Sequence, residues 1–273
     1  MKKINIILVL CVLIHTCFAQ QQQRQIKQLD SIFSMLNEQN QFNGTVLIAD
    51  KGNILFEKGY GYRDETTKAY NNPETIFELG SASKQFTAAA IVLLKRQGKL
   101  RYEDSIEKYL PELVFWNKVT IYDLLRHTSG LPEFIIDMPK QWDASRIATN
   151  DDVIRFYAER KDSLQFKPKN FYRYNNTSYA LLASIIERVS GKKYADFMAD
   201  HIFKPLKMNS TFVYNSRLNP RDIKNYATGY VWAHNSFRKV VPEDTSYNDK
   251  KIYFLDGVVG AGKISSNVKD IYS

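Results

Sequence analysis

The chain has only two cysteines, Cys11 and Cys17, and both fall within its first 19 residues. Beyond that segment there can be no disulfide, no thiol nucleophile and no cysteine metal site. Histidine is also scarce, at four in the whole chain, and no H-E-x-x-H string occurs, so neither a metal centre nor any other cofactor is expected. The absence of a G-x-S-x-G elbow argues against a Ser-His-Asp hydrolase of that kind. Apolar runs are short. The stretch from Ile4 to Ile14 follows Lys2 and Lys3 and precedes Cys17-Phe18-Ala19, the layout of a secretory leader cut before Gln20. It is too short to span a bilayer comfortably. The expectation is a signal peptide at residues 1–19, export to the periplasm or beyond, and no transmembrane segment after cleavage.

What remains is globular in composition. Hydrophobic residues make up 44% of the chain, enough for one large domain over residues 20–273. The formal charge of +9 reads as scattered, with its densest stretch, Lys95 to Arg101, at a helix end where cations suit the dipole. It suggests mild attraction to anionic envelope polymers. A nucleic-acid partner calls for a clustered basic face with interleaved aromatics, and none is read from the sequence.

Periodicity sets the layout. Ile26, Leu29, Ile32, Phe33 and Leu36 mark an amphipathic first helix. Gly44 to Ala49 and Ile54 to Tyr60 read as strands joined by Asp50-Lys51-Gly52-Asn53, a hairpin. The apolar run Phe86 to Leu94 reads as a helix buried all round, opening near Ser81 and ending near Gly98. Asn150-Asp151-Asp152 starts a helix running to about Lys161, so that acidic pair is helix-start chemistry. Tyr179, Leu182, Ile185, Ile186 and Val189 form an amphipathic helix stopped by Gly191, and another runs from Ala195 into Phe203. Lys251 to Leu255 reads as a late strand. The fold class is α+β, with the chain ends meeting in one sheet.

Ser81-Ala82-Ser83-Lys84 sits where the strand-like run Thr75 to Gly80 gives way to that apolar helix. A serine hydroxyl is a poor nucleophile until a base lies beside it, and residues three apart share a helix face. A helix start also offers unpaired N–H groups to an oxyanion. The same spacing recurs at Ser105–Lys108, Ser190–Lys193, Ser236–Lys239 and Ser266–Lys269, but only Ser81 opens an apolar helix. The structural alternative is that Ser81 or Ser83 caps the helix. Tyr174-Asn175-Asn176 stands at the entry to the Tyr179–Val189 helix. It offers a phenolic proton and a carbonyl-gripping amide, or else a packing aromatic and an N-cap at Asn176. Tyr70–Asn72 repeats this spacing in a turn.

These two strings in this order resemble the serine beta-lactamase and penicillin-binding-protein superfamily, whose S-x-x-K box is well known. The resemblance is to the branch with a Tyr-x-Asn second box: class C enzymes, D-alanyl-D-alanine carboxypeptidases and related esterases. Flanking segments carry it further, namely Phe42 to Gly61, Phe77 to Leu94, Leu124-Leu125-Arg126-His127-Thr128-Ser129-Gly130-Leu131-Pro132, and Phe171 to Gly191. It extends from about residue 27 to the end.

The resemblance implies a beta-lactamase-like fold, an antiparallel sheet flanked by a helical region. It makes Ser81 the acylated nucleophile, Lys84 its base partner, Tyr174 the proton shuttle and Asn176 the group that orients the substrate amide. The substrate class it implies is a beta-lactam, a D-amino-acid peptide or an ester. His127 is assigned a structural role. The family's third box, K-T-G or H-x-G, is absent, and Ala227-Thr228-Gly229 lacks the cation. The expectation is therefore a domain missing its C-terminal strands, with impaired hydrolase activity.

Two other readings compete. A non-catalytic protein of this fold could bind peptidoglycan or a partner. Gly257-Val258-Val259-Gly260-Ala261-Gly262-Lys263 fits G-x-x-x-x-G-K, but Ile264 stands where a nucleotide binder needs Ser or Thr.

Overall fold

The computed structural model describes residues 2–143, 145–232, 239–240 and 254–273. They form two compact units, residues 1–75 and 76–273.

In the first unit, helix α1 (Lys2–Glu38) precedes a hairpin of β1 (Gly44–Asp50) and β2 (Asn53–Tyr60). The strands pair antiparallel from Gly44↔Tyr60 to Asp50↔Asn53, with a bulge between Ile48 and Ala49. The turn takes the left-handed conformation at Lys51 and Gly52 (φ 47° and 83°), as a tight hairpin needs. Asp30 ties α1 to β2 by accepting from Lys58 Nζ at 2.6 Å and Tyr60 OH at 2.8 Å. The rings of Phe33, Phe42 and Tyr60 close the same contact. Two short strands, β3 (Tyr62–Asp64) and β4 (Ala69–Tyr70), pair next to it.

The second unit is mainly helical. Its helices are α2 (Lys84–Arg96), α3 (Ile121–Arg126), α4 (Phe134–Asp137), α5 (Asn150–Arg160), α6 (Asn176–Ser190), α7 (Tyr194–Met198) and α8 (Val268–Tyr272). A π-helical turn, Ala199–Phe203, prolongs α7. The strands β5 (Phe77–Glu78), β6 (Phe212–Val213) and β9 (Ile264–Ser266) form a sheet in the order β5-β9-β6, while β7 (Val231–Trp232) and β8 (Lys239–Val240) pair separately.

Three expectations change. α2 is buried on one stripe, Lys84, Thr87, Ala90, Ile91 and Leu94, and Val92 is 41% exposed. The helix wrapped on all sides is α6, buried at every position from Thr177 to Ile186. Its small residues, Ala180, Ala183 and Ser184, let neighbouring elements approach closely. A hydrophobic surround is therefore set by neighbours, and α6 has α2, α3, α4, α5 and α7 packed against it. The late strand is Ile264–Ser266; residues 251–253 of the expected strand lie outside the described residues, and Phe254 and Leu255 are not in a strand. Nor do the chain ends share a sheet among the described residues, because β1 and β2 pair only with each other and β9 pairs with β5 and β6.

Candidate active site

Gly80, at φ +52°, turns the chain from β5 into a 3₁₀ turn, Gly80–Ser83, that runs straight into α2. Ser81 is exposed on this turn, and Lys84 follows one turn later at 6% exposure. Neither serine caps the helix with its side chain. Ser83 Oγ instead accepts the Ile264 N–H at 3.1 Å, holding β9 beside the turn. Ser81 Oγ takes no part in capping.

Lys84 Nζ donates to Ser81 Oγ at 3.1 Å, to Asn176 Oδ1 at 2.8 Å and to the Ala261 carbonyl at 2.7 Å. Three acceptors match the three N–H bonds of an ammonium. Tyr174 OH donates to Ser81 Oγ at 2.7 Å. The Lys84 cation also lies 4.9 Å from the Tyr174 ring centre and 5.6 Å from that of Tyr179. The structure thus brings all four sequence-selected residues, Ser81, Lys84, Tyr174 and Asn176, into one bonded cluster.

The Tyr-Asn-Asn box owes its geometry to its neighbours. Asn175, not Asn176, is the N-cap of α6: its Oδ1 accepts the Ser178 N–H at 2.7 Å, and its Nδ2 donates to Leu131 O at 3.0 Å and Pro132 O at 3.3 Å. The capping duty therefore falls one residue earlier than the structural alternative placed it, and the Asn176 amide is free to reach Lys84. His127 sits in the left-handed conformation at the end of α3 (φ 58°). Its Nδ1 accepts the Asn175 N–H at 3.1 Å, and its ring lies 4.6 Å from that of Tyr174. An accepting Nδ1 requires the proton on Nε2. Burial and then the nearby Lys84 charge hold the His127 pKa below its ordinary value.

Two groups escaped sequence reading. Glu133 Oε2 accepts the Asn176 N–H at 2.7 Å and its Nδ2 at 3.4 Å. That contact sets which way the Asn176 amide faces, with its oxygen toward Lys84. Burial raises the Glu133 pKa, against the pull of the hydrogen bonds from Asn176 and Ile135 and of the Lys84 charge. In sequence, only its position just after Leu131-Pro132 marked it. The second is the Ala261 carbonyl, a backbone atom with no residue signature. The segment carrying it is fixed by Thr87 Oγ1, which donates to Gly260 O at 2.8 Å. A Cβ on Gly260 (φ +93°) would strike the Tyr179 carbonyl.

The decoy strings have other duties. Ser105 Oγ donates to Asn117 O at 2.7 Å, and Ser266 Oγ pairs with Thr211 at 2.6 Å; Ser236 lies outside the described residues. The G-x-x-x-x-G-K lysine, Lys263, is tied to Asp256 at 2.8 Å and Glu78 at 3.0 Å, and Ile264 is fully buried. Among the described residues, no cluster of three or more His, Cys, Asp or Glu is placed to hold a metal ion. No helix among them is long and apolar enough to cross a membrane.

The Beta-lactamase family model matches residues 29–273. Penicillin-binding protein 4* of Bacillus subtilis (strain 168) is 42% identical over 250 residues, covering 92% of this chain and 55% of that protein. A teichoic acid D-alanine hydrolase of Staphylococcus aureus (strain MRSA252) is 30% identical over 236 residues, covering 84% of this chain and 52% of that protein. The solved structure of the octameric penicillin-binding protein homologue from Pyrococcus abyssi superposes with a TM-score of 0.74 at 30% identity, covering 90% of this chain and 55% of that one. The chain spans about half the length of the curated relatives it matches. Its fold is beta-lactamase-like, and the chain belongs to the serine beta-lactamase and penicillin-binding-protein superfamily.

Proposed function

We propose that this chain carries the acyl-transfer centre of an exported serine hydrolase. The observation that carries this reading is the convergence on Ser81 Oγ of Tyr174 OH at 2.7 Å and Lys84 Nζ at 3.1 Å. Once the Lys84–Tyr174 pair has given up one proton to solvent, as a neutral amine or a phenolate, Ser81 Oγ attacks the substrate carbonyl and its proton moves onto that pair. The same pair returns a proton to the departing oxygen or nitrogen, which leaves an ester on Ser81. Water then repeats the sequence in reverse order and frees the acid. The Ser81 N–H, in the first turn of its helix, supplies one oxyanion donor. One N–H of the Asn176 amide faces Glu133, and the other serves the acyl side of the substrate.

A D-amino-acyl ester or amide is the substrate class best supported, since one relative is a teichoic acid D-alanine hydrolase and another a penicillin-binding protein. Residues 1–19 act as the leader that exports the chain to the envelope, and residues 20–273 make up the hydrolase domain. No K-T-G or H-x-G string occurs in the sequence.

A second reading is a non-catalytic protein of this fold that captures its ligand without releasing product. One experiment separates the two. The chain is incubated with a fluorescent penicillin or a fluorophosphonate, and intact-protein and peptide mass spectrometry follow the adduct. An adduct on Ser81 that forms and then decays supports the hydrolase. A persistent adduct supports the binder. No adduct on Ser81 overturns the acyl-transfer reading.

A further inference from the structure

Lys263 closes the segment that brings the Ala261 carbonyl to Lys84. Its backbone is left-handed, at φ +75°, a conformation that a side chain disfavours. The other left-handed lysines among the described residues, Lys51, Lys68, Lys161, Lys169 and Lys207, are exposed. Lys263 is turned inward instead, with 12% of its side chain exposed. Its ammonium donates to Asp256 Oδ1 at 2.8 Å and to Glu78 Oε1 at 3.0 Å. Asp256 is fully buried. Its Oδ2 accepts the Arg217 and Leu218 N–H groups at 2.8 and 3.2 Å, and Arg217 Nη1 lies 3.5 Å from Oδ1, so the anion has a fixed seat. Glu78 ends β5, three residues before Ser81. One ammonium therefore joins the strand that leads to the nucleophile to the segment that holds its base partner.

The Ala261–Gly262 peptide needs such an anchor. Glycine leaves the backbone at 262 free to rotate, and packing there is loose, since a Cβ would meet only the Gly80 backbone, at 3.8 Å. The flanks fix the peptide. Upstream, Gly260 O accepts from Thr87 Oγ1, and Gly260 itself lies against the Tyr179 carbonyl. Downstream, Lys263 O accepts the Tyr214 N–H at 2.8 Å, and the Lys263 side chain adds the bridge to Asp256 and Glu78. The peptide's orientation has a chemical consequence. Lys84 Nζ reaches Ser81 Oγ, Asn176 Oδ1 and Ala261 O. As a neutral amine it keeps two N–H bonds. With Asn176 Oδ1 and Ala261 O holding those two, the lone pair points at Ser81. A carbonyl that turned away would let the amine swing off that line.

We infer that Lys263 is a positioning residue for acyl transfer: its bridge from Asp256 to Glu78 keeps the Ala261 carbonyl on Lys84 and so aims the Lys84 lone pair at Ser81. The inference rests on the acyl-transfer reading. Positioning and simple charge make opposite predictions. A bond to the Ala261 carbonyl favours the protonated form of the Lys84–Tyr174 pair, so releasing that carbonyl moves the acid limb of the Ser81 labelling profile to lower pH. Loss of the Lys263 charge with the carbonyl still in place removes a neighbouring cation and moves the limb to higher pH. His127, Glu133 and Tyr179 also face Lys84, and the test leaves all three untouched.

The test measures the rate of Ser81 labelling by a fluorophosphonate in the full chain from about pH 5 to about pH 10. Lys263→Met keeps much of the side chain's bulk and removes the ammonium. Lys263→Gly also removes it but suits the left-handed backbone, so it carries the test if Lys263→Met folds poorly. Both should label about 10–100-fold more slowly at the pH optimum, with the acid limb displaced downward by about half a pH unit or more. Lys263→Arg still reaches two carboxylates and should stay within about threefold of the parent, with its limb in place. An acid limb that stays put or moves upward in the Met and Gly variants overturns the inference, whatever the Tm does, because the bridge would then serve stability or act by charge alone. Labelling of Lys263→Gly within about twofold of the parent overturns it as well. Failure of the acyl-transfer reading would appear separately, as no Ser81 adduct in the unmodified chain at any pH.

Discussion

Glu133 gives the most discriminating perturbation. Its Oε2 receives the Asn176 N–H at 2.7 Å and the Asn176 Nδ2 at 3.4 Å, and its Oε1 receives the Ile135 N–H at 3.4 Å. The short bond is charge-assisted and serves the first residue of α6, whose N–H has no partner within the helix. Glu133→Ala leaves that donor unmet, at a cost of about 1–3 kcal/mol, and releases the Asn176 amide from the orientation that faces its oxygen to Lys84. If this cost falls on the reacting arrangement, Ser81 labelling by a fluorophosphonate slows by about 5–150-fold. Glu133→Gln keeps one oxygen for Asn176 but faces an NH₂ toward the Ile135 N–H, so a smaller loss of about 3–10-fold is expected. The pH sign is distinctive. Burial raises the Glu133 pKa, so its stability contribution is full below the ordinary carboxylate value and is lost as pH rises through the folded value. Glu133→Gln escapes that loss, and its Tm relative to the parent should improve from acid toward neutral pH. The assay pairs stopped-time labelling with thermal unfolding. Labelling of Glu133→Ala within twofold of the parent, alongside a lower Tm, would refute the positioning role and leave Glu133 as the cap of α4.

Other predictions follow from the same contacts. Tyr174→Phe removes the hydroxyl 2.7 Å from Ser81 and should slow labelling about 10²–10⁴-fold; its Tm should hardly move, since Tyr174 is 44% exposed. Thr87→Val keeps the shape of a fully buried side chain but strips Gly260 O and Tyr194 OH of their partner. It should cost about 2–4 kcal/mol in denaturant unfolding, and a loss below about 0.5 kcal/mol would disprove the reasoning. The lowered pKa of His127 means that its stabilising contribution is present above the ordinary value near 6.5 and is lost as pH falls through the lower folded value, when protonation removes the acceptor for Asn175 N–H. His127→Gln should flatten the Tm profile between about pH 7 and pH 4.5, and an unchanged profile would contradict the assignment.

Much of the fold was legible locally. The hairpin at 44–60 follows from alternation and Lys51-Gly52, and the start of α5 from Asn150-Asp151-Asp152, although the cap itself is Thr149, bonded reciprocally with Asp152. Where sequence reading slipped, neighbours decided the outcome. α2 reads as buried on all sides yet keeps Val92 exposed, because its partners cover one stripe. The structural alternative that made Asn176 an N-cap fails, because the carbonyls of Leu131 and Pro132 draw Asn175 into that post. Glu133 and the Ala261 carbonyl carried no signal because their importance lies in what they meet, at 43 and 177 residues' separation.

By itself the sequence determined what local geometry can determine. Ser81 and Lys84 are three apart at a helix start, so their approach is fixed by helical pitch as soon as α2 forms. Tyr174 and Asn176 were identifiable as residue types with suitable chemistry. Their arrival at Ser81 and Lys84 was a tertiary event, spanning 93 and 92 residues of chain. Hydrogen bonds reach about 3 Å and depend on direction, while sequence patterns report faces and periods. Only the packing of α2, α6 and the His127–Glu133 loop could turn four plausible side chains into one connected centre.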